Sequence, residues 1–430
     1  MREMKDSGIE WIGEIPAGWK VKKIKHSFSI IAGATPKSEV PEFWDGDIAW
    51  ITPADYKTAD VYVAGGKRNL SQAGYDSCGT TLIPSGSIVF SKRAPIGSVA
   101  INTNDLCTNQ GCLSCVPKCE CVTKYFYYMM SVFTEIFNLF GTGTTFKEIS
   151  ADNFANFSLP FPDITEQHQI VSYLDQKCTE VDAVIAKTKA TIEEYKKLKQ
   201  SIITEAVTKG IRGDRPMKDS GIAWVPKIAA DWHISRIGLH YDVILGKMLC
   251  DRQLQDDYTL EDYFCAANVH FDGVATQGLK KMWFSPAEKE TYRVNIGDLL
   301  VVEGGAGAGG AAIVTELINP TYIQNSIMIV RGKHSQTNRY LRYWIECLVK
   351  KGYVDVVCNK ATIPHFTKDK LATMPIPVLD ETEMVEIADH LDEKCLQLDA
   401  LIARKTALLE EMESYKKSVI YEYVTGKKEV

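Results

Sequence analysis

Residues 4–9 and 217–222 both read MKDSGI, and a chain that repeats itself must be read as a duplicated fold before anything else is inferred. The echo continues beyond the six residues. MKDSGIEWIGEIPAGWKVKKI and MKDSGIAWVPKIAADWHISRI pair Trp11 with Trp224, Trp19 with Trp232 and Ile24 with Ile237 at one offset of 213. A second echo, DITEQHQIVSYLDQKCTEVDAVIAK from Asp163 against DETEMVEIADHLDEKCLQLDALIAR from Asp380, runs at an offset of 217 and holds as far as IITEAVT against VIYEYVT. Between the echoes, residues from about 25 to 145 and about 238 to 361 share little sequence, yet their lengths nearly match. A frame that repeats around a filling that differs implies one task performed on two targets.

The later echo predicts long helices. Leu174, Cys178, Val181, Ile185, Thr188, Ile192, Tyr195, Lys199, Ile202 and Ala206 follow alternating steps of four and three, and Leu391, Cys395, Leu398, Ile402, Lys405, Leu409, Met412, Lys416, Val419 and Tyr423 occupy the matching places. This is the spacing of a coiled-coil seam. Each helix should run about 40 residues, or about 60 Å at 1.5 Å per residue. Acidic and Thr residues in DITEQ and DETE start the helices, and TKG and TGK stop them. Two long helices could each pack on a separate globular core; the matched seams favour pairing with each other. Duplicated halves are most simply arranged antiparallel, with one insert at each end and the N-terminal MKDSGI copy beside the end of the C-terminal helix.

Charge bears on what the inserts could bind. The net charge of −6 arises in residues 380–430, with 13 acidic and 7 basic side chains, while the inserts with their flanks, 20–160 and 233–377, are each near +1. Neither insert is basic enough to predict tight unaided binding to phosphates. The N-terminus lacks the apolar core of a secretory leader, and no apolar run approaches the roughly 18 residues of a membrane span, so a cytoplasmic protein is expected, with no membrane partner. Twelve cysteines then read as small buried hydrophobes in a reducing compartment.

Several fragments imitate catalytic motifs. GAGAGG at 305–310 fits GxGxxG after a strand-like DLLVV, but AAIVTELINP after it is too short and too β-branched to be the helix such a loop opens. NPTY at 319–322 approaches the motif by which adenine methyltransferases hold the target amino group, without room for a methyltransferase sheet, and reads as a turn. Asp163, Asp175 and Lys177 imitate a nuclease spacing, but Asp175 and Lys177 fall on the predicted helix and read as its surface. CLSCVPKCEC offers Cys112, Cys115, Cys119 and Cys121, yet a strand through TNQGCLSCV points residues three apart to opposite faces, so no metal is expected. No GxxxxGK[ST] loop is present, so ATP binding is not expected.

The combination of frame and inserts resembles the specificity subunit of type I restriction-modification enzymes. The resemblance covers essentially the whole chain: the two helical repeats, the lead-ins SGIEWIGEIPAGW and SGIAWVPKIAADW, and signatures inside both inserts. The first insert carries GATPKS, WDGDIAWITPADY, SGSIVFSKRAPIGSVAI, TNQGCLSCVP and GTGTTFKEIS; the second carries GKML, YFCAANV, GDLLVVEGGAGAGGAAIV and IQNSIMIV. The resemblance implies an α+β chain with two mixed α/β target recognition domains separated by an antiparallel two-helix coiled coil, related by an internal pseudo-twofold repeat. Expected boundaries are 1–158 for the first repeat segment and recognition domain, 163–210 for the central helix, 211–377 for the second segment and domain, and 380–428 for the C-terminal helix. It further implies that each domain reads one half of a split site in double-stranded DNA and that the helices dock two modification subunits. The chain itself would catalyse nothing and bind no cofactor. S-adenosylmethionine would sit on the modification subunits, which methylate adenine, and ATP and Mg on restriction subunits. The competing readings are a self-sufficient DNA methyltransferase and a scaffold binding two non-DNA ligands.

Basic and amide side chains in loops near these signatures are the expected DNA contacts, because Arg and Lys meet phosphates or guanine edges and Asn or Gln reads adenine. They are Lys37, Ser38, Lys92, Arg93, Thr144, Thr145 and Lys147 in the first insert, and Lys247, Arg252, Lys280, Lys281, Lys360 and Thr362 in the second.

Overall fold

The computed structural model describes the chain except residues 1, 58–59, 94, 144–146, 334–336 and 359–363. Its contacts divide into two units, Met1–Lys189 with Ala407–Val430, and Ala190–Thr406.

The first unit opens on the hairpin Met4–Asp6 and Glu14–Pro16, which buries Ile15. Its major sheet takes the order Phe28–Ala32, Cys112–Pro117, Ile88–Ser91, Val99–Asn102, Tyr62–Val63. The central strand Ile88–Ser91 is buried at every position, as a strand covered on both faces must be. A minor sheet places Trp44–Ile51 between Cys107–Thr108, parallel, and Arg68–Leu70, antiparallel. The helix Thr123–Val132 packs its aromatic side chains into the core between the major sheet and the start of the long helix.

The second unit repeats this topology except for the edge strand Tyr62–Val63, which has no counterpart in its four-stranded major sheet. Its major sheet runs Tyr241–Leu245, Ile327–Gly332, Leu299–Val302, Ala311–Ile313, and its minor sheet sets Thr259–Phe264 between Thr321–Ile323, parallel, and Lys280–Phe284, antiparallel. Even the register agrees: Leu113 lies between Ala32 and Phe90, and Met328 between Leu245 and Val301. The inserts that share little sequence therefore share one fold, because sheet topology depends on which positions are buried and not on which apolar residue fills them.

One helix spans Ile164–Lys209 and the other Glu381–Val424, 46 and 44 residues long. Asp163 Oδ1 accepts from Glu166 N at 2.8 Å and Asp380 Oδ2 from Thr382 N at 3.0 Å, which satisfies amides that the first turn leaves free. Gly210 and Gly426 follow in the left-handed region, at φ of 81° and 72°, where glycine ends a helix without strain.

Segments of the two helices pair antiparallel inside each unit. In the first, Lys416 Nζ lies 2.7 Å from Asp182 Oδ1, Lys189 Nζ 3.2 Å from Glu413 Oε1, and the rings of Tyr173 and Tyr423 are 4.3 Å apart. In the second, Lys199 Nζ lies 2.7 Å from Asp399 Oδ2 and Arg212 Nη2 2.8 Å from Glu386 Oε2. Lys199 and Lys416 interrupt the apolar seam at equivalent places, and each reaches an equivalent aspartate. Exposed pairs add little stability, but a polar group at a seam position fixes which residues lie opposite. Of the expected seam residues, Leu174, Val181, Ile192, Leu391, Leu398 and Val419 are buried. Ile185, Ile202, Ile402 and Leu409 are half-buried.

Each unit also ties its long helix to its hairpin and its insert helix by the same side chains. Trp19 Nε1 donates to Glu166 at 2.6 Å, and Arg2 binds the same carboxylate; Trp232 Nε1 donates to Glu383 at 3.1 Å, and Arg215 binds that one. Tyr125 OH donates to Val424 O at 2.8 Å and Tyr340 OH to Val207 O at 3.3 Å. Tyr128 OH meets Asp175 and Tyr343 OH meets Asp392, both at 2.6 Å. In the first unit Tyr421 OH donates to Trp11 O at 3.0 Å and Lys427 Nζ to Glu14 O at 2.7 Å, which places the N-terminal MKDSGI hairpin beside the end of the C-terminal helix.

Candidate nucleic-acid interface

In each unit the loops at one end of the two sheets converge through backbone bonds. Ala34 N donates to Thr108 O at 2.9 Å and Lys92 N to Gly111 O at 2.9 Å, so the segments holding Lys37, Lys92 and the amides Asn109 and Gln110 form one surface. Thr35 Oγ1 bonds Gln110, Trp50 Nε1 donates to Ala34 O at 3.1 Å, and Trp44 Nε1 donates to Lys37 O at 3.4 Å. Gly33 is needed at the root, since a Cβ there would stand 2.1 Å from Thr108 O. In the second unit Lys247 N donates to Ile323 O at 3.1 Å, Asn325 N to Lys247 O at 2.8 Å and Glu303 N to Ser326 O at 2.8 Å. Gly246 is the counterpart of Gly33, its Cβ position 2.4 Å from Gln324 O.

The expected contacts distribute unevenly over this surface. Lys37, Ser38 and Lys147 are exposed and have free reach to solvent. Lys92 and Arg93 share one carboxylate, with Lys92 Nζ 2.7 Å from Glu148 Oε1 and Arg93 Nη1 3.3 Å from Glu148 Oε2. The Lys92 bond, the Arg93 charge and their hydrogen bonds hold the Glu148 carboxyl below the usual carboxylate range against a partial desolvation. Arg252 is exposed, Lys280 begins an exposed strand end, and Lys281 lies 3.6 Å from Asp262. Lys247 belongs to the interior: its ammonium donates to Trp283 O at 2.8 Å and Glu288 at 2.5 Å and faces the Tyr258 and Phe284 rings. Its place in the GKML signature suggested a DNA contact, but its ammonium anchors the loop root. Thr144, Thr145, Lys360 and Thr362 lie outside the described residues.

Two pairs of residues at the centre of this surface were not among the expected contacts, Asn109 with Gln110 and Gln324 with Asn325. They stand at the same place in both units, between the parallel minor strand and the major sheet. The signal was available, since TNQG and IQNS put two adjacent amides at matched positions. Such side chains supply paired donors and acceptors of the kind that read an adenine edge.

The fragments that imitate catalysis take other roles. Gly305–Gly310 joins the antiparallel strands Leu299–Val302 and Ala311–Ile313, and no helix opens after it. Asn319 Nδ2 donates to Asp262 at 3.2 Å just before the strand Thr321–Ile323. Asp175 is held by Tyr128 and Lys124. Cys112 and Cys115 are both buried on one strand and pack into different cores, as their spacing requires. Among the described residues no cluster of three His, Cys, Asp or Glu side chains could hold a metal ion.

Comparison with known proteins bears on this architecture. A family profile described as "Type I restriction modification DNA specificity domain" matches residues 16–194. Over that stretch the chain is similar to a type I specificity domain. The MjaIX specificity subunit of Methanocaldococcus jannaschii is 38% identical over 166 residues, 38% of this chain and 38% of the relative. The HindI specificity subunit of Haemophilus influenzae is 28% identical over 187 residues, 43% of this chain and 39% of the relative. The matched stretches thus span less than half the length of either relative. Two solved structures share the fold over nearly the entire chain at 16% identity. A chain from a type I R-M system has a TM-score of 0.74, covering 96% of this chain and 99% of its own. The HsdS subunit from Thermoanaerobacter tengcongensis has a TM-score of 0.51, covering 96% and 98%. Among the described residues no helix is long and apolar enough to cross a membrane.

Proposed function

We propose that the chain is the DNA-recognition subunit of a type I restriction-modification enzyme, each unit reading one half of a split site in double-stranded DNA. The observation that carries this reading is the loop surface built twice on one topology with different side chains, in a chain whose first half matches a specificity domain. Two equal surfaces would read one sequence twice; surfaces alike in backbone and unlike in chemistry read two. The long helices set the gap between the halves, and one inserted heptad would lengthen each by about 10.5 Å, close to three base pairs. Their repeated faces offer two modification subunits equivalent docking sites.

Under this reading the chain performs no chemistry and holds no cofactor. The modification subunits bring S-adenosylmethionine and methylate adenine, and restriction subunits bring ATP and Mg. All of it takes place in the cytoplasm. A base-resolution methylation map tests the proposal, made in a host lacking adenine methylation after co-expression of this chain with the modification subunit encoded beside it. A split motif that needs both genes supports the reading. A folded, co-purifying complex that methylates nothing favours a scaffold for two non-DNA ligands.

A further inference from the structure

In both units the residue that follows the strand Ile88–Ser91 or Leu299–Val302 of the major sheet is held by the same two backbone bonds. Lys92 N donates to Gly111 O at 2.9 Å and Ile149 N to Lys92 O at 3.0 Å; Glu303 N donates to Ser326 O at 2.8 Å and Phe366 N to Glu303 O at 2.6 Å. The next residue, Arg93 or Gly304, bridges to Glu148 or His365. A segment from the end of the insert therefore crosses the same loop in each unit, and one side chain of that segment faces the loop's charge.

The charges on this shared backbone are reversed. In the first unit the loop carries the cations Lys92 and Arg93 and the crossing segment carries the anion Glu148. In the second the loop carries the anion Glu303, and the crossing segment carries His365, whose Nδ1 lies 3.3 Å from Glu303 Oε2. The first cluster retains one surplus positive charge with an ammonium and a guanidinium whose eight donors a single carboxylate cannot saturate. In the second, no Lys or Arg side chain among the described residues pairs with the Glu303 carboxylate; the nearby Lys370 ammonium is turned to His365 O, 2.7 Å away. A phosphodiester is attracted to the first and repelled by the second, and a carboxylate already held by Lys92 and Arg93 must yield bonds before a phosphate can take them.

We propose that Glu148 occupies the place of a DNA phosphate on Lys92 and Arg93, restraining the first unit's sequence-independent affinity, and that Glu303 closes the equivalent place in the second unit to phosphate. This rests on the DNA-recognition reading and deepens it. The first unit then contributes a phosphate clamp that the second lacks, and bound DNA has to exchange the clamp's internal anion. Glu303, an acceptor with no phosphate to meet, is left to a base amino group such as cytosine N4.

The test uses the full chain with its modification subunits and a fluorescent duplex of random sequence, with affinity followed over a series of KCl concentrations. Glu148→Gln should bind about 3- to 10-fold more tightly at low salt, and its plot of log K against log salt should steepen by about 0.9, one additional phosphate contact. The double exchange E303K/H365Q gives the second unit an ammonium with no carboxylate facing it from the crossing segment and should steepen the slope by the same amount. Wild-type complex that binds no duplex would defeat the recognition reading itself. Wild type that binds, with E148Q unchanged or weaker, overturns this proposal alone. Should E148Q fail to fold, the E303K/H365Q slope decides: a slope equal to wild type overturns the proposal.

Discussion

Replacing Glu383 by alanine should destabilise the chain far more than the same change at Glu166, although the two occupy one position of the repeat. Each accepts from a buried tryptophan N–H and from an arginine. What differs is water: the Glu383 side chain is 4% exposed and that of Glu166 25%. Glu383→Ala strands the Trp232 N–H without solvent, about 1–3 kcal/mol, and breaks a charge-assisted bond worth about 1.5–3 kcal/mol. Arg215 keeps Asp231 as a partner, which offsets part of the loss, so about 3 kcal/mol is expected. At the Glu166 site water can replace the carboxylate for both Arg2 and Trp19, leaving about 1 kcal/mol. At about 2–4 °C per kcal/mol for units of this size, calorimetry should find Glu383→Ala lowering Tm by about 6–12 °C and Glu166→Ala by about 2–4 °C. Equal shifts, or a larger one for Glu166→Ala, would refute the argument that solvent access separates these twins.

Three further outcomes follow from the interface. Lys247→Ala should cost about 2 kcal/mol in urea unfolding while leaving the salt dependence of DNA binding unchanged, whereas Lys92→Ala should flatten that dependence by about 0.9. Gly33→Ala and Gly246→Ala each drive a Cβ into backbone oxygen, so each should abolish methylation of sites without preventing co-purification with the modification subunit; unchanged methylation maps would show that the loop roots are not needed in this form. Burial pushes the Cys112 thiol up to about 12 and Cys115 higher still, so iodoacetamide at pH 8 should label exposed Cys119 in native protein and spare both, as read by peptide mass spectrometry.

The frame of this fold was legible because its signal is periodic. Steps of four and three placed Leu174 to Val181 and Leu391 to Leu398 on a buried face and located the lysines that cross to Asp182 and Asp399. The likeness of the inserts was not legible, for two physical reasons. Their strands are short and wholly buried, so any apolar residue serves, as in IVFS against LLVV. Loop insertions also shift the register, so Ala32 matches Leu245, Phe90 matches Val301 and Leu113 matches Met328 at three different offsets. One internal trace survived: Lys124, Tyr125 and Tyr128 against Arg339, Tyr340 and Tyr343, a basic residue and two tyrosines on the helix that docks to the long helix. Site residues were the least legible, because a lysine that anchors a loop and a lysine that awaits a ligand look alike until their neighbours are known. Lys247 and Lys37 differ only in whether a carboxylate and a carbonyl stand within reach.

Exchange of residues 25–145 for the corresponding segment of a specificity subunit with a different target tests the central claim most directly. The hybrid is co-expressed with the modification subunit, and methylated adenines are mapped at base resolution. Two independent reading surfaces on one frame predict a split motif in which one half is new, the other half is that of the parent chain, and the gap is unchanged. A motif altered in both halves would contradict the account.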